Sequence, residues 1–203
     1  MTSQRHSSSK RHSASNRHSG DAILDAARDC VLAVGVRRTT LTDVARRAGV
    51  SRMTLYRRYP DVAGLVGDLL TREFGALVAA QTAVATREAT GRARAVARLV
   101  AGTRALRDHP VMRKVLEVDP ELLLPYLVVR LGGTQRIALE FFAADLAAGQ
   151  QDGSIRPGDP AVLARAVLLV VQSFVFSLGT VDTDPELLYA ELTTLLDAYL
   201  RPA

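Results

Sequence analysis

The run TTLTDVARRAGVSRMTLYRRYP, residues 39–60, holds two helix starts, a helix stop and a proline exit in close succession. Thr40 suits an N-cap, and Asp43 stands three residues on in the capping-box position, so the pattern predicts a helix from Leu41. Val44, Ala45 and Ala48 share one face of it. Gly49 is able to take the positive φ of a helix end, and Val50 tucks inward behind it. Ser51 is the next cap. A second short helix then places Leu55 and Tyr59 one turn apart, until Pro60 forces the chain out. Two short helices about a three-residue turn, with small Ala45 where they cross, describe a helix-turn-helix.

With Leu55 taken as inward, a rotation of about 100° per residue sends Met53 and Arg57 almost directly away from it. Thr54 and Tyr56 flank that outward line, and Arg52 and Arg58 fall nearer the core edge. A face of thioether, guanidinium, phenol and hydroxyl matches a DNA major groove: Arg binds guanine O6 and N7 in bidentate fashion, and Met and Thr methyls pack on a thymine methyl. An arginine cluster alone equally suits a solvated surface. The coincidence of two caps, a turn glycine and the aromatic spacing favours DNA.

The chain is nominally +5 over 203 residues, and the charge is unevenly placed. Residues 1–20 carry Arg5, Lys10, Arg11 and Arg17 with no acid, residues 21–60 hold eight Arg against four Asp, and residues 61–203 are net acidic. A basic front and a mildly acidic back fit a polyanion at one end only. The first 20 residues also repeat Arg-His-Ser three times, at 5–7, 11–13 and 17–19. They hold no aliphatic side chain larger than Ala after Met1, so burial cannot offset the cost of ordering, and a disordered basic tail is expected. Joined to the first helix, its cations would lie beside a docked duplex as an electrostatic arm. The alternatives are an inert solvated leader and a weak His-metal site. No secretory or transit pattern is present.

Cys30, the sole cysteine, cannot form an internal disulfide, which suits a reducing cytoplasm, and its apolar neighbours read as packing. The most apolar run, residues 166–178, is interrupted by Gln172 and is shorter than the roughly 20 residues of a membrane span, so a buried helix and no membrane partner are expected.

Helical spacing dominates after the tail. Starts, stops and periodicity predict about nine helices, near 21–35, 41–48, 52–59, 61–86, 90–108, 110–117, 120–149, 160–178 and 185–200. The seventh is expected to break, because Pro125 lies inside it and Gly132-Gly133 follows. Asp119-Pro120, Asp159-Pro160 and Asp184-Pro185 each read as a capped helix start. No phosphate loop, catalytic triad or metal-spaced pair outside the tail is visible, so neither an enzyme nor a cofactor or metal is expected.

Thr40-Leu41-Thr42-Asp43-Val44-Ala45-Arg46-Arg47-Ala48-Gly49-Val50-Ser51, followed by Thr54-Leu55-Tyr56-Arg57-Arg58-Tyr59, resembles the DNA-binding segment of the TetR family of bacterial transcriptional regulators. Ile23, Ala26, Ala27, Gly35 and Thr40 are similar to that family's first helix and its approach to the second. The close resemblance covers about residues 21–70, and the remainder is similar only as a run of helices. It implies an all-α homodimer: after the tail at 1–20, a three-helix DNA-binding head at 21–60 and a ligand-binding and dimerisation body at 61–203. It further implies a cytoplasmic repressor that sits on a palindromic operator and leaves when a small molecule binds. By position, Thr40 and Tyr56 would meet phosphates, Arg52, Met53, Thr54 and Arg57 would face bases, and Arg58 would lie on the backbone. The family's usual Lys at the start of the fourth helix is Val62 here, with Asp61 placed to cap instead.

In the body, Phe74, Leu99, Thr103, Met112, Leu116, Tyr126, Phe141, Phe142, Gln172 and Phe174 are candidates for a mainly apolar ligand pocket, although each equally suits plain core. His109, just before Pro110, reads as a helix-start residue. The last two helices, with Leu168, Leu169, Val170, Val171, Phe174 and Phe176 on one and Leu187, Leu188, Leu192, Leu195, Leu196 and Tyr199 on the other, are the expected dimer contact. Two other readings stay open: a DNA-binding regulator or activator without small-molecule control, and a helical module whose basic face meets acidic protein or lipid.

Overall fold

Every regular element among the described residues, 6–83 and 87–202 of the computed structural model, is helical. In chain order these are α1 (His6–Val34), α2 (Leu41–Ala48), α3 (Arg52–Arg58), α4 (Val62–Ala80), α5 (Gly91–Asp108), α6 (Pro110–Val118), α7 (Leu124–Val128), α8 (Gly133–Gln151), α9 (Pro160–Ser177) and α10 (Pro185–Leu200). The seventh expected helix breaks where its proline and glycines stand, into a 3-10 turn Pro120–Leu123, α7 and α8. The fourth ends earlier than expected, at Ala80, in a 3-10 turn.

Helix α1 runs back through residues 6–20, where the sequence predicts disorder. A segment joined to a packed helix needs no new nucleus, and nothing before Gly20 breaks the ladder. The contacts expected of Arg5, Lys10, Arg11 and Arg17 lie outside the described side chains.

The helix-turn-helix forms by the local chemistry read from the sequence. Thr40 Oγ1 accepts from Asp43 N at 3.1 Å and Ser51 Oγ accepts from Thr54 N at 3.1 Å, so each short helix has an amide satisfied at its start. Gly49 takes φ 66°, which lets the Val50 amide fold back onto the Ala45 carbonyl at 3.0 Å. Asp61 caps α4 by accepting from Gly64 N at 2.8 Å.

Two apolar clusters organise the molecule. The first joins Ile23, Ala27 and Val31 of α1, Leu41 and Val44 of α2 and Leu55 of α3 to Leu65 and Leu69 of α4 and Val111 and Val115 of α6. Head and body therefore share one core. The second gathers Leu99, Leu146, Leu163, Val167, Leu192 and Leu196 from α5, α8, α9 and α10. Cys30 is buried in the first cluster, and burial pushes its thiol pKa up, away from a reactive thiolate.

Polar ties cross the same junction. Asp119 was expected to cap its own helix start, but it makes no such bond. Its Oδ2 instead accepts from the amides of Val36 at 2.7 Å and Arg37 at 3.4 Å, in the turn after α1. That turn is opened by Gly35 at φ 84°, and a Cβ there would meet Asp119 Oδ2 at 2.8 Å. Glu73 of α4 takes Arg28 of α1 at 3.1 Å and faces His109 Nε2 at 3.5 Å. His109 caps α6, its Nδ1 accepting from Val111 N at 3.3 Å, and burial holds its pKa below the ordinary histidine value. A neutral ring protonated on Nε2 satisfies both neighbours.

Helix α9 with its 3-10 end, Pro160–Thr180, is long and apolar enough by length and composition to cross a membrane, contrary to the shorter run counted from sequence. That count stopped at the uninterrupted apolar core. The helix packs against α5 and α8 through Leu163, Val167, Leu168, Val171 and Val175.

Candidate nucleic-acid interface and adjoining cavity

Helix α3 is held by two anchors. Leu55 is fully buried, and Tyr59, at its end, is buried with its hydroxyl donating to Asp68 Oδ2 of α4 at 3.0 Å. Fixing that side presents the other to solvent: Met53 is 79% exposed and Tyr56 48%, and Arg52, Arg57 and Arg58 are exposed beside them. Met53 and Tyr56 thus put apolar surface among the exposed arginines of that face. Thr54 is half-buried, its hydroxyl within 2.8 Å of Ser51 Oγ, so it sits on the flank of the outward face. Thr40 is exposed at the start of α2, but its hydroxyl donates to Asp43 Oδ2 at 2.6 Å while accepting from Asp43 N, so its proton must turn from that carboxylate to reach a phosphate. Arg58 lies over the Tyr59 ring at 5.5 Å, and its guanidinium reaches the space a Cβ on Gly20 of α1 would need. It points along the head rather than outward with Arg57.

The charges separate the face further. Arg46 pairs with Asp43 at 2.9 Å and Arg47 with Asp29 at 3.6 Å. Among the described residues, Arg38, Arg52, Arg57 and Arg58 have no carboxylate partner within ion-pair distance. Cations left unpaired around an exposed short helix form the electrostatic footprint of a nucleic-acid surface. Sequence reasoning passed over Arg38, whose only signal was its place two residues before the α2 cap.

A cavity of about 630 Å³ opens beneath the head, between α4, α5, α8 and α9. Phe74, Leu99, Thr103, Met112, Tyr126, Phe141, Phe142 and Gln172 line it, as the sequence expected of a pocket. Leu116 and Phe174 do not. Leu116 lies one turn beyond Met112 on α6 and packs into the head cluster. Phe174 lies on the side of α9 opposite Phe176 and packs into the second cluster, whereas Val171, Val175 and Phe176 line the cavity. Leu70 and Leu77 of α4 and Gln81 just past its end were missed, though their spacing with Phe74 forms one stripe.

The last two helices divide their apolar residues between two directions. Leu168, Val171, Leu192 and Leu196 turn inward, while Leu169 is 69% exposed, Leu195 53% and Leu187 61%. Val162, Val170 and Tyr199 extend that outward surface.

An all-helical chain with a capped helix-turn-helix, a basic outward helix face and a cavity in the helical body behind it is a helix-turn-helix DNA-binding regulator. Residues 23–69 match the bacterial regulatory proteins of the tetR family. An HTH-type transcriptional regulator of Mycobacterium bovis is 39% identical over 183 residues, covering 89% of this chain and 94% of the other. The chain belongs to the TetR family of transcriptional regulators. Among solved structures, the TetR-family repressor QsdR of R. erythropolis shares the fold at a TM-score of 0.69 and 19% identity, over 90% of this chain and 96% of that one. The regulator FadR of Bacillus subtilis, solved in complex with stearoyl-CoA, does so at 0.64 and 17%, over 89% and 98%.

Proposed function

We propose that the chain is a homodimeric, cytoplasmic repressor that occupies a palindromic operator through α3 and leaves it when a small, mainly apolar molecule enters the cavity. The observation that carries this reading is the pairing of an unspent recognition face, Met53, Tyr56 and Arg57, with a ligand-sized cavity whose walls include residues of the head-to-body core. Phe74 and Met112 line the cavity and belong to the same cluster as Leu55, so a change at one is felt by packing at the other. In this division the head is residues 21–60 and the body 61–203, with the first turns of α4 finishing the head's core. Arg52, Met53, Thr54 and Arg57 face bases, Thr40, Tyr56 and Arg58 meet the backbone, and residues 1–20 add phosphate contacts.

Footprinting on DNA upstream of the chain's own gene tests this. The expected result is protection of two half-sites about one helical turn apart, relieved by a ligand that also raises the melting temperature. A footprint that no cavity ligand relieves would leave a regulator without small-molecule control. Uniform, sequence-independent binding would remove the repressor reading.

A further inference from the structure

Whatever enters the cavity must match the polar groups its walls leave unused, and most are already used. Thr103 Oγ1 donates to the Leu99 carbonyl at 2.7 Å, Thr71 to Gly67 at 2.8 Å and Gln81 to Leu77 at 3.0 Å, each folded back onto its own helix. Thr134 is turned to the Leu70 carbonyl at 3.3 Å. Gln135 accepts from Gly132 N at 2.7 Å and donates to the Tyr126 carbonyl at 3.0 Å. Arg98 and Asp145 pair at 2.6 Å and cancel. Among the described lining residues, the Gln172 amide, the Tyr126 hydroxyl and Gln81 Oε1 remain uncommitted. The interior therefore offers aliphatic and aromatic surface with a few uncharged polar groups, a lining for a mainly hydrocarbon body.

The rim differs. Arg130, in the turn after α7, and Arg136, in the first turn of α8, both line the cavity and are exposed, and neither has a carboxylate within ion-pair distance among the described residues. Arg130 lies over the Tyr126 ring at 5.5 Å, which fixes one guanidinium at the opening. The rim's acid, Asp61, stands at the start of α4, pairs with neither arginine and has an oxygen committed to Gly64 N. Two unpaired guanidiniums beside an apolar chamber match a molecule that is negative at one end and apolar along the rest. A cationic amphiphile finds no free carboxylate inside.

We propose that the cavity takes an anionic amphiphile, an acyl or alkyl body held inside with its charged end at Arg130 and Arg136. This rests on the reading of the cavity as the effector site. The same chemistry belongs to a free fatty carboxylate and to an acyl thioester of a phosphorylated carrier, and the probes separate them.

Full-length protein is titrated by calorimetry and thermal shift with dodecanoate, dodecanoyl-coenzyme A, dodecanol and dodecyltrimethylammonium, all below micelle formation, and compared with an R130Q/R136Q variant. Both substituted positions are exposed, and retained dodecanol binding shows that the variant cavity is intact. Dodecanoate is expected to bind more tightly than dodecanol and to weaken about tenfold in the variant, while dodecanol changes by less than about twofold. Tighter binding of the thioester than of the carboxylate assigns the carrier-linked form; the reverse order assigns the free acid. Dodecanoate affinity unchanged by the double substitution overturns the proposal, as does trimethylammonium binding as tight as dodecanoate, or no binding of any probe. Dodecanoate binding that depends on both arginines yet leaves the operator footprint in place supports the ligand class and instead removes the effector reading.

Discussion

Asp119 and Asp184 stand in the same pentapeptide, Asp-Pro-Glu-Leu-Leu, and do different work. Asp184 Oδ1 accepts from Glu186 N at 2.9 Å and caps its own helix, whereas Asp119, 1% exposed, spends its carboxylate on the Val36 and Arg37 amides of the head. Buried amides left without an acceptor cost about 1–3 kcal/mol, and losing an exposed cap costs about 1 kcal/mol. Asp119→Ala is therefore expected to lower stability by about 2 kcal/mol in urea unfolding and to speed hydrogen exchange at Val36 and Arg37. Asp119→Asn, which keeps an acceptor oxygen, loses less. Asp184→Ala should leave exchange in the head untouched. Equal exchange at those two amides in wild type and Asp119→Ala would show that the carboxylate holds nothing together.

At the scale of the element, α3 separates what holds it from what it presents. Leu55 is enclosed, and its replacement by Ala is expected to cost about 2–5 kcal/mol and to lower DNA binding only through unfolding. Met53→Ala and Arg57→Ala remove exposed side chains, so the melting temperature should hold while operator affinity drops about 5- to 150-fold each, with little change on unrelated DNA. Gel shifts on operator and scrambled duplexes read the difference; a loss equal on both would make α3 a phosphate contact and not a reader. This element was legible in the sequence because its boundaries are written in neighbouring residues: caps at Thr40 and Ser51, a stop at Gly49, an exit at Pro60. The cavity was legible in part, since apolar residues on body helices must face some interior. Which interior depends on how the helices cross, and so Leu116 and Phe174 went to the two cores alone, while Leu70 and Phe176, packed against the first core, also reach the cavity. The second use of Asp-Pro-Glu-Leu-Leu had no local signal at all, because its partner amides lie 82 and 83 residues away.

Among the described residues, the whole molecule leaves large apolar side chains of its last two helices uncovered. Val162, Leu169 and Val170 of α9 and Leu187, Leu195 and Tyr199 of α10 face outward, while their neighbours on the same helices fill the second core. Large apolar side chains left exposed on two helices call for a partner, and the proposed palindromic operator calls for that partner to be a second copy related by a two-fold axis. In such a dimer each exposed leucine meets the same surface on the other chain, so one introduced charge is buried twice. Leu169→Arg combined with Leu195→Arg is expected to yield a folded monomer, with unchanged helical circular dichroism and half the wild-type mass in sedimentation. Its heads would retain Met53 and Arg57 in place but act singly. Operator affinity should fall more than about tenfold, and the preference for half-sites about one helical turn apart should vanish. A double variant that still sediments as a dimer would move the interface off α9 and α10, and the geometry of the two reading heads would have to be rebuilt around whichever surface replaces it.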